Sequence, residues 1–286
     1  MTGPAETARG PWRWLAAIRL DEVLVLQGAP FLGVAFALAS GASASPPSLL
    51  AFGLASCALV AHVFALNDWS EMEPAPRRGP LDRRETRGLS VALLLLGLSL
   101  FAAIGPLPLL LACAIALLSA LYSAPPSRAK GTPVVASMLH VAGGAVHFLL
   151  GYSLLGTFDL RGLLLALFFG LTFAAGHLTQ EVRDRDVDLG NGIRTNAVAF
   201  GKVPAFLAGV ALFTVADAFL CLLAFRGLAP RAIAFGTLAL YPLHVAWSAQ
   251  ALASGLREEH VRRLQWRYRA RYAAIGVLAV ALLLVP

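Results

Sequence analysis

Residues 48–66 read SLLAFGLASCALVAHVFAL, and residues 67–73, which follow without a break, read NDWSEME. The first stretch holds no Asp, Glu, Lys or Arg. An α-helix crosses the hydrocarbon layer of a bilayer in about 20 residues, so this run has the length and composition of a membrane span. A soluble helix of that length keeps a polar face, and this one has none. Eight similar runs occupy 23–40, 89–105, 107–122, 133–155, 160–180, 203–225, 230–253 and 272–286. Several abut Pro or Gly, which suit helix ends. The expected fold is all-α: an integral membrane bundle of about nine transmembrane helices, with residues 1–286 forming a single domain.

Composition agrees. The chain is 58% hydrophobic and 14% charged, with a mean hydropathy of +0.72. A soluble domain has no use for that much apolar surface. Residues 1–20 include Glu6, Arg9, Arg13 and Arg19 and no apolar stretch before a cleavage site, so no secretory signal is expected there. Cys57, Cys113 and Cys221 lie inside apolar runs at no zinc-like spacing, and read as small buried residues.

The net charge of +7 is explained by where the charges fall. With a cytoplasmic N-terminus, Arg161, Arg226 and Arg231 lie in outer loops, and the other 20 of the 23 Lys and Arg lie on the cytoplasmic side. Basic residues are retained on that side and anchor a protein to an anionic leaflet. No nucleic acid is needed to account for them. The expected location is the cell membrane, multi-pass and of the bacterial inner-membrane type, with the active site facing the cytoplasm.

Acidic residues at membrane helix ends are costly and therefore informative. The first cluster is Asn67, Asp68, Glu71 and Glu73 after the second run. Asp68 and Glu71 share a helical face at i, i+3 if the helix continues. The second follows the sixth run: Glu181, Asp184, Asp186 and Asp188, with Asp184 and Asp188 at i, i+4. Carboxylate and amide oxygens suit Mg2+, which prefers to be shared with substrate phosphates. Each cluster alone also fits a solvated helix cap. Between the fourth and fifth runs lies Tyr122-Ser123-Ala124-Pro125-Pro126-Ser127-Arg128-Ala129-Lys130. Its prolines stiffen the turn, and Arg128 and Lys130 can meet phosphate oxygens as fork and point charge. Gly190-Asn191-Gly192-Ile193-Arg194-Thr195 lets the chain turn sharply beside the second cluster, where Arg183, Arg185 and Arg194 interleave with the acids. Metal, cations and an apolar cavity together suggest a lipid diphosphate substrate.

These motifs, in this order, resemble those of the UbiA superfamily of intramembrane prenyltransferases. That family carries Asn-Asp-x-x-Asp-x-x-x-Asp after the second helix, Tyr-Ser-x-Pro-Pro-x-Arg-x-Lys between the fourth and fifth, and Asp-x-x-x-Asp followed by Gly and Thr after the sixth. Tyr122 to Lys130 match the middle motif; Asp184, Asp188, Gly192 and Thr195 match the third. In the first motif the second Asp is Glu71 and the third is Ala75, while a later Arg-Pro-Leu stretch is Arg78-Gly79-Pro80-Leu81. The resemblance implies Mg2+-dependent transfer of a prenyl group from a prenyl diphosphate to a small hydrophobic or aromatic acceptor, in contact with membrane lipid. It implies metal ligation by Asn67, Asp68, Glu71, Asp184 and Asp188, of which Asp68, Asp184 and Asp188 are the catalytic carboxylates. It implies diphosphate binding by Tyr122, Arg128, Lys130 and Arg185. A terpene cyclase on the same scaffold, and an inactive lipid-binding or transport protein, are the competing expectations.

Other residues leave alternatives open. His177 precedes Glu181 on one face, and His140 and His147 lie seven apart; all three read as cavity-lining or packed. Asp217, inside the seventh run, is either cavity-facing or paired. Trp69, Phe148, Phe168, Phe169 and Phe173 present ring faces to a cation or simply pack. The arginine-rich stretch before the ninth run, with Trp266, Tyr268 and Tyr272, is expected to lie on the leaflet surface.

Overall fold

The computed structural model describes residues 12–41, 43–72, 80–155 and 158–284. Among these there are twelve α-helices and no strand: α1 (Trp12–Ile18), α2 (Leu20–Leu26), α3 (Gly28–Leu38), α4 (Pro46–Glu71), α5 (Arg83–Ile104), α6 (Pro106–Ser123), α7 (Val135–Tyr152), α8 (Leu160–Gly190), α9 (Asn196–Phe200), α10 (Lys202–Phe225), α11 (Arg231–Ala253) and α12 (Glu258–Leu284). Among the described residues, eight spans are long and apolar enough to cross a membrane, with α1 to α3 counted as one of 27 residues. The ninth long helix, α12, carries five arginines between Arg262 and Arg271, and only its second half is apolar throughout. The chain is a multi-pass membrane protein.

Local chemistry sets the helix starts. Ser45 accepts from the Ser48 backbone N–H just ahead of Pro46 in α4. Asp82 and Glu85 form a reciprocal capping box on α5. Asp159 accepts from the Gly162 N–H at 2.7 Å and from the Tyr152 hydroxyl at 2.9 Å, starting α8 and tying it to the end of α7.

α4 and α8 are 26 and 31 residues long. Thirty-one residues span roughly 46 Å, against roughly 30 Å of hydrocarbon, so the last turns of α8, with their carboxylates, extend beyond the apolar layer. Small residues let the helices touch. A Cβ added at Gly151 would lie 1.8 Å from the Pro30 carbonyl oxygen, so α7 meets α3 backbone to backbone. One added at Gly170 would lie 2.5 Å from the Val141 oxygen, where α8 meets α7. Lipid gives no hydrophobic drive for helix association, so close contact of this kind helps to hold the bundle.

Two expectations change, and one left open is decided. The first run begins earlier and is three short helices, broken at Arg19, whose φ of 53° is left-handed. The stretch before the ninth run does not lie apart on the leaflet: Val261, Leu264, Tyr268 and Arg271 are buried, and one helix continues from Glu258 into the apolar C-terminal segment. Asp217 is paired. Its carboxylate meets both Arg271 terminal nitrogens at 2.6 and 3.2 Å and accepts from the Tyr272 hydroxyl at 3.1 Å, with both ion-pair side chains almost wholly buried.

Asp217→Ala would strand the Arg271 charge and lower stability by about 3–5 kcal/mol. Replacing Asp217 by Leu and Arg271 by Met together should recover most of that loss. Thermal unfolding of the three proteins in detergent checks it.

Candidate active site

A cavity of about 1490 Å³ runs between α2–α4, α6–α8 and α12. It is charged at one end and apolar beyond. Along α8 its lining extends from Asp188 to Leu165, roughly 35 Å at a rise of about 1.5 Å per residue. Phe168, Phe169, Phe173 and Phe213 form much of the apolar wall. Phe168 and Phe213 each lie near the Tyr272 ring, at 6.3 and 5.6 Å.

The charged end is organised by Lys130, in the short 3-10 turn Ala129–Gly131 after the two prolines. Its Nζ donates to Glu71 Oε1 at 2.7 Å and lies 3.6 Å from Asp188 Oδ1. Asn67 Nδ2 donates to the same Glu71 oxygen at 2.9 Å. Ser123 Oγ donates to Asn67 Oδ1 at 3.4 Å. Arg183 forks onto both oxygens of Asp184 at 2.7 Å each and donates a third bond, of 2.9 Å, to Gln265 Oε1 on α12.

Thus Asn67, Glu71, Tyr122, Lys130, Asp184 and Asp188 are brought together on one cavity wall. The face on α4 is Asn67 with Glu71, at i, i+4, rather than Asp68 with Glu71. Asp68 does not line the cavity; it is ion-paired with Arg19, which does. Arg128 is exposed and Arg185 donates to Asp186, so neither reaches the lining. Arg185 is one residue past Asp184, about 100° further round the helix, which turns it away. Glu73, Ala75, Arg78 and Gly79 lie outside the described residues. Sequence reasoning missed Arg19, Gln265 and the Glu22–Arg269 ion pair of 2.6 Å. The apolar spacing Val261, Leu264, Tyr268 was the available signal that α12 begins early and returns to the site.

The donor set fits a divalent cation of the Mg2+ kind. Among the described residues no group of three His, Cys, Asp or Glu stands as a ready metal site by itself. The carboxylate and amide oxygens of Asn67, Glu71, Asp184 and Asp188 all line the cavity's charged end, and oxygens of this kind suit an ion that is shared with substrate phosphates.

Behind this end lies a second polar group. Glu181 accepts from the Asn196 backbone N–H at 3.0 Å and from Asn196 Nδ2 at 2.9 and 3.2 Å. Asn196 Oδ1 in turn holds the Val134 N–H at 2.7 Å, at a residue whose φ of 66° is unusual for a β-branched side chain. His177 Nε2 lies 2.9 Å from Glu181 Oε1 without the alignment of a hydrogen bond. The His177 ring stacks on His140 at 3.7 Å, and Tyr122 meets both rings edge-on.

A helical membrane protein with a charged, oxygen-rich end on a long apolar cavity is the class this geometry defines. The family model described as UbiA prenyltransferase family matches residues 29–267, and the chain belongs to that family. No curated protein matches it in sequence. Its fold is shared with a digeranylgeranylglyceryl phosphate synthase, at 18% identity, TM-score 0.70, and 95% of this chain against 97% of the other. A UbiA homologue from Archaeoglobus fulgidus bound to GPP and Mg2+ matches at 18% identity and TM-score 0.67, over 94% and 99%. One from Aeropyrum pernix K1 matches at 20% and 0.70, over 91% and 98%.

Asn196→Ala would leave Glu181 and the Val134 N–H short of partners. The expected loss is about 1–3 kcal/mol, read as a lower unfolding temperature, with Asn196→Asp retaining the Val134 bond and the backbone bond to Glu181 but losing the two side-chain bonds to Glu181.

Proposed function

We propose that this protein is an intramembrane prenyltransferase, a single domain that moves a prenyl group from a prenyl diphosphate to a small hydrophobic or aromatic acceptor. One observation carries the reading: Lys130 lies between Glu71 and Asp188 at the head of an apolar cavity long enough for an isoprenoid tail. The A. fulgidus homologue bound to GPP and Mg2+ supports it by fold.

Asn67, Glu71, Asp184 and Asp188 would hold Mg2+. When bound, the ion supplies positive charge against the diphosphate as it departs. Lys130 and Arg183 contribute cations of their own to the same group, and Tyr122 borders it. Arg19 lines the cavity beside them, held by Asp68, which therefore acts by positioning that arginine. The phenylalanine wall keeps water from the tail and offers ring faces to the allylic cation. The 20-to-3 division of basic residues supports a charged end facing the cytoplasm of a bacterial-type inner membrane.

Purified protein in detergent should release diphosphate from a prenyl diphosphate only with Mg2+, and faster with a suitable aromatic acceptor. Asp184→Ala and Asp188→Ala should reduce release at least a hundredfold. Release indifferent to Mg2+ and to both aspartates would overturn the reading. In the same protein, Arg183→Ala should weaken GPP binding at least tenfold more than Arg185→Ala does, about 1.4 kcal/mol, measured by calorimetry.

A further inference from the structure

An acceptor that attacks the first carbon of a prenyl diphosphate must shed a proton. The carboxylates at the charged end are engaged: Glu71 with Lys130 and Asn67, Asp188 with Lys130, and Asp184 with Arg183. His140 is placed differently. It lines the cavity, and its Nδ1 lies 2.9 Å from the Ala136 carbonyl oxygen. A carbonyl only accepts, so Nδ1 carries a hydrogen, and in the neutral ring Nε2 then keeps its lone pair. The ring is 4.9 Å from that of Tyr122, whose neighbour Ser123 bonds to Asn67. His140 is therefore one ring away from the end where diphosphate would depart. Behind it, His177 is stacked at 3.7 Å with an interplanar angle of 7°, and Glu181, fixed by Asn196, stands next to His177. His147 also lines the cavity and lacks a partner on Nε2, but it lies two helical turns deeper, beside Phe173.

We infer that His140 Nε2 is the proton acceptor of the reaction, an inference that rests on the transferase reading. The bond between C1 and the diphosphate oxygen breaks, and its electron pair leaves with diphosphate. The attacking atom of the acceptor forms the new bond to C1. The proton attached to or conjugated with that atom passes to Nε2, and water removes it after product leaves. Glu181 is the negative charge that faces the stacked rings while the proton is held. With no acceptor present, the same nitrogen takes a proton from a carbon next to the allylic cation. The electrons of that C–H bond become a C=C bond, giving an alkene where capture by water would give an alcohol.

The test uses GPP and Mg2+ with no acceptor, and counts alkene and alcohol by gas chromatography per diphosphate released. The native protein should give alkene as a substantial fraction. His140→Phe, which keeps a ring on His177, should still bind GPP and lower the alkene-to-alcohol ratio at least tenfold. His140→Ala should do the same, and added imidazole should restore the ratio. An unchanged ratio in both variants, or no rescue by imidazole, would overturn this role for His140 while leaving transfer intact. If the native protein neither binds GPP nor releases diphosphate, the transferase reading falls and this inference with it.

Discussion

One ammonium group joins two helices whose carboxylates would otherwise repel. Glu71 ends α4, Asp188 lies near the end of α8, and Lys130 reaches between them from the loop after α6. Three distant parts of the chain are thereby fixed at one point. In a partly desolvated pocket like charges cannot stay close without a counter-charge, and Lys130 supplies it. The same grouping is poised for chemistry, because a phosphate with its divalent ion offers both the anion that Lys130 can take and the cation that the carboxylates can take.

The rest of the bundle keeps that polar grouping at the head of an apolar space. α4 and α8 are longer than the hydrocarbon layer is thick, so the carboxylates at their ends fall where water can reach them. Deeper in, glycines on α7 and α8 bring backbones together, and phenylalanines make up much of the wall. The first half of α12 returns over the charged end, linked to α8 through Gln265 and Arg183 and to α2 through Arg269 and Glu22. Arg271 and Asp217 anchor the same helix to α10.

Much of this was legible in the sequence. Uncharged runs such as 48–66 mark the spans because nothing else tolerates so many apolar residues together. The acids after two of those runs, and the proline-stiffened Tyr122 to Lys130 loop, named most of the wall. What could not be read was direction around a helix axis. Asp68 and Arg185 stand next to residues that line the cavity, yet point elsewhere, because adjacent positions differ by about 100°. Partners far apart in the chain were equally hidden: Arg19 with Asp68, Arg271 with Asp217, and Gln265 with Arg183 meet only after folding. The arginines before the last run masked a helix whose buried positions, Val261, Leu264 and Tyr268, already had helical spacing.

The most direct test of the account is a double-mutant cycle on Lys130 and Asp188, reading Mg2+-dependent binding of an unreactive GPP analogue by calorimetry. Each single alanine variant should weaken binding at least tenfold, and the double variant should differ from the sum of the two by about 1 kcal/mol or more, as groups acting on one bound diphosphate do. Strictly additive effects, or binding indifferent to both residues, would contradict the claim that these groups form one diphosphate site.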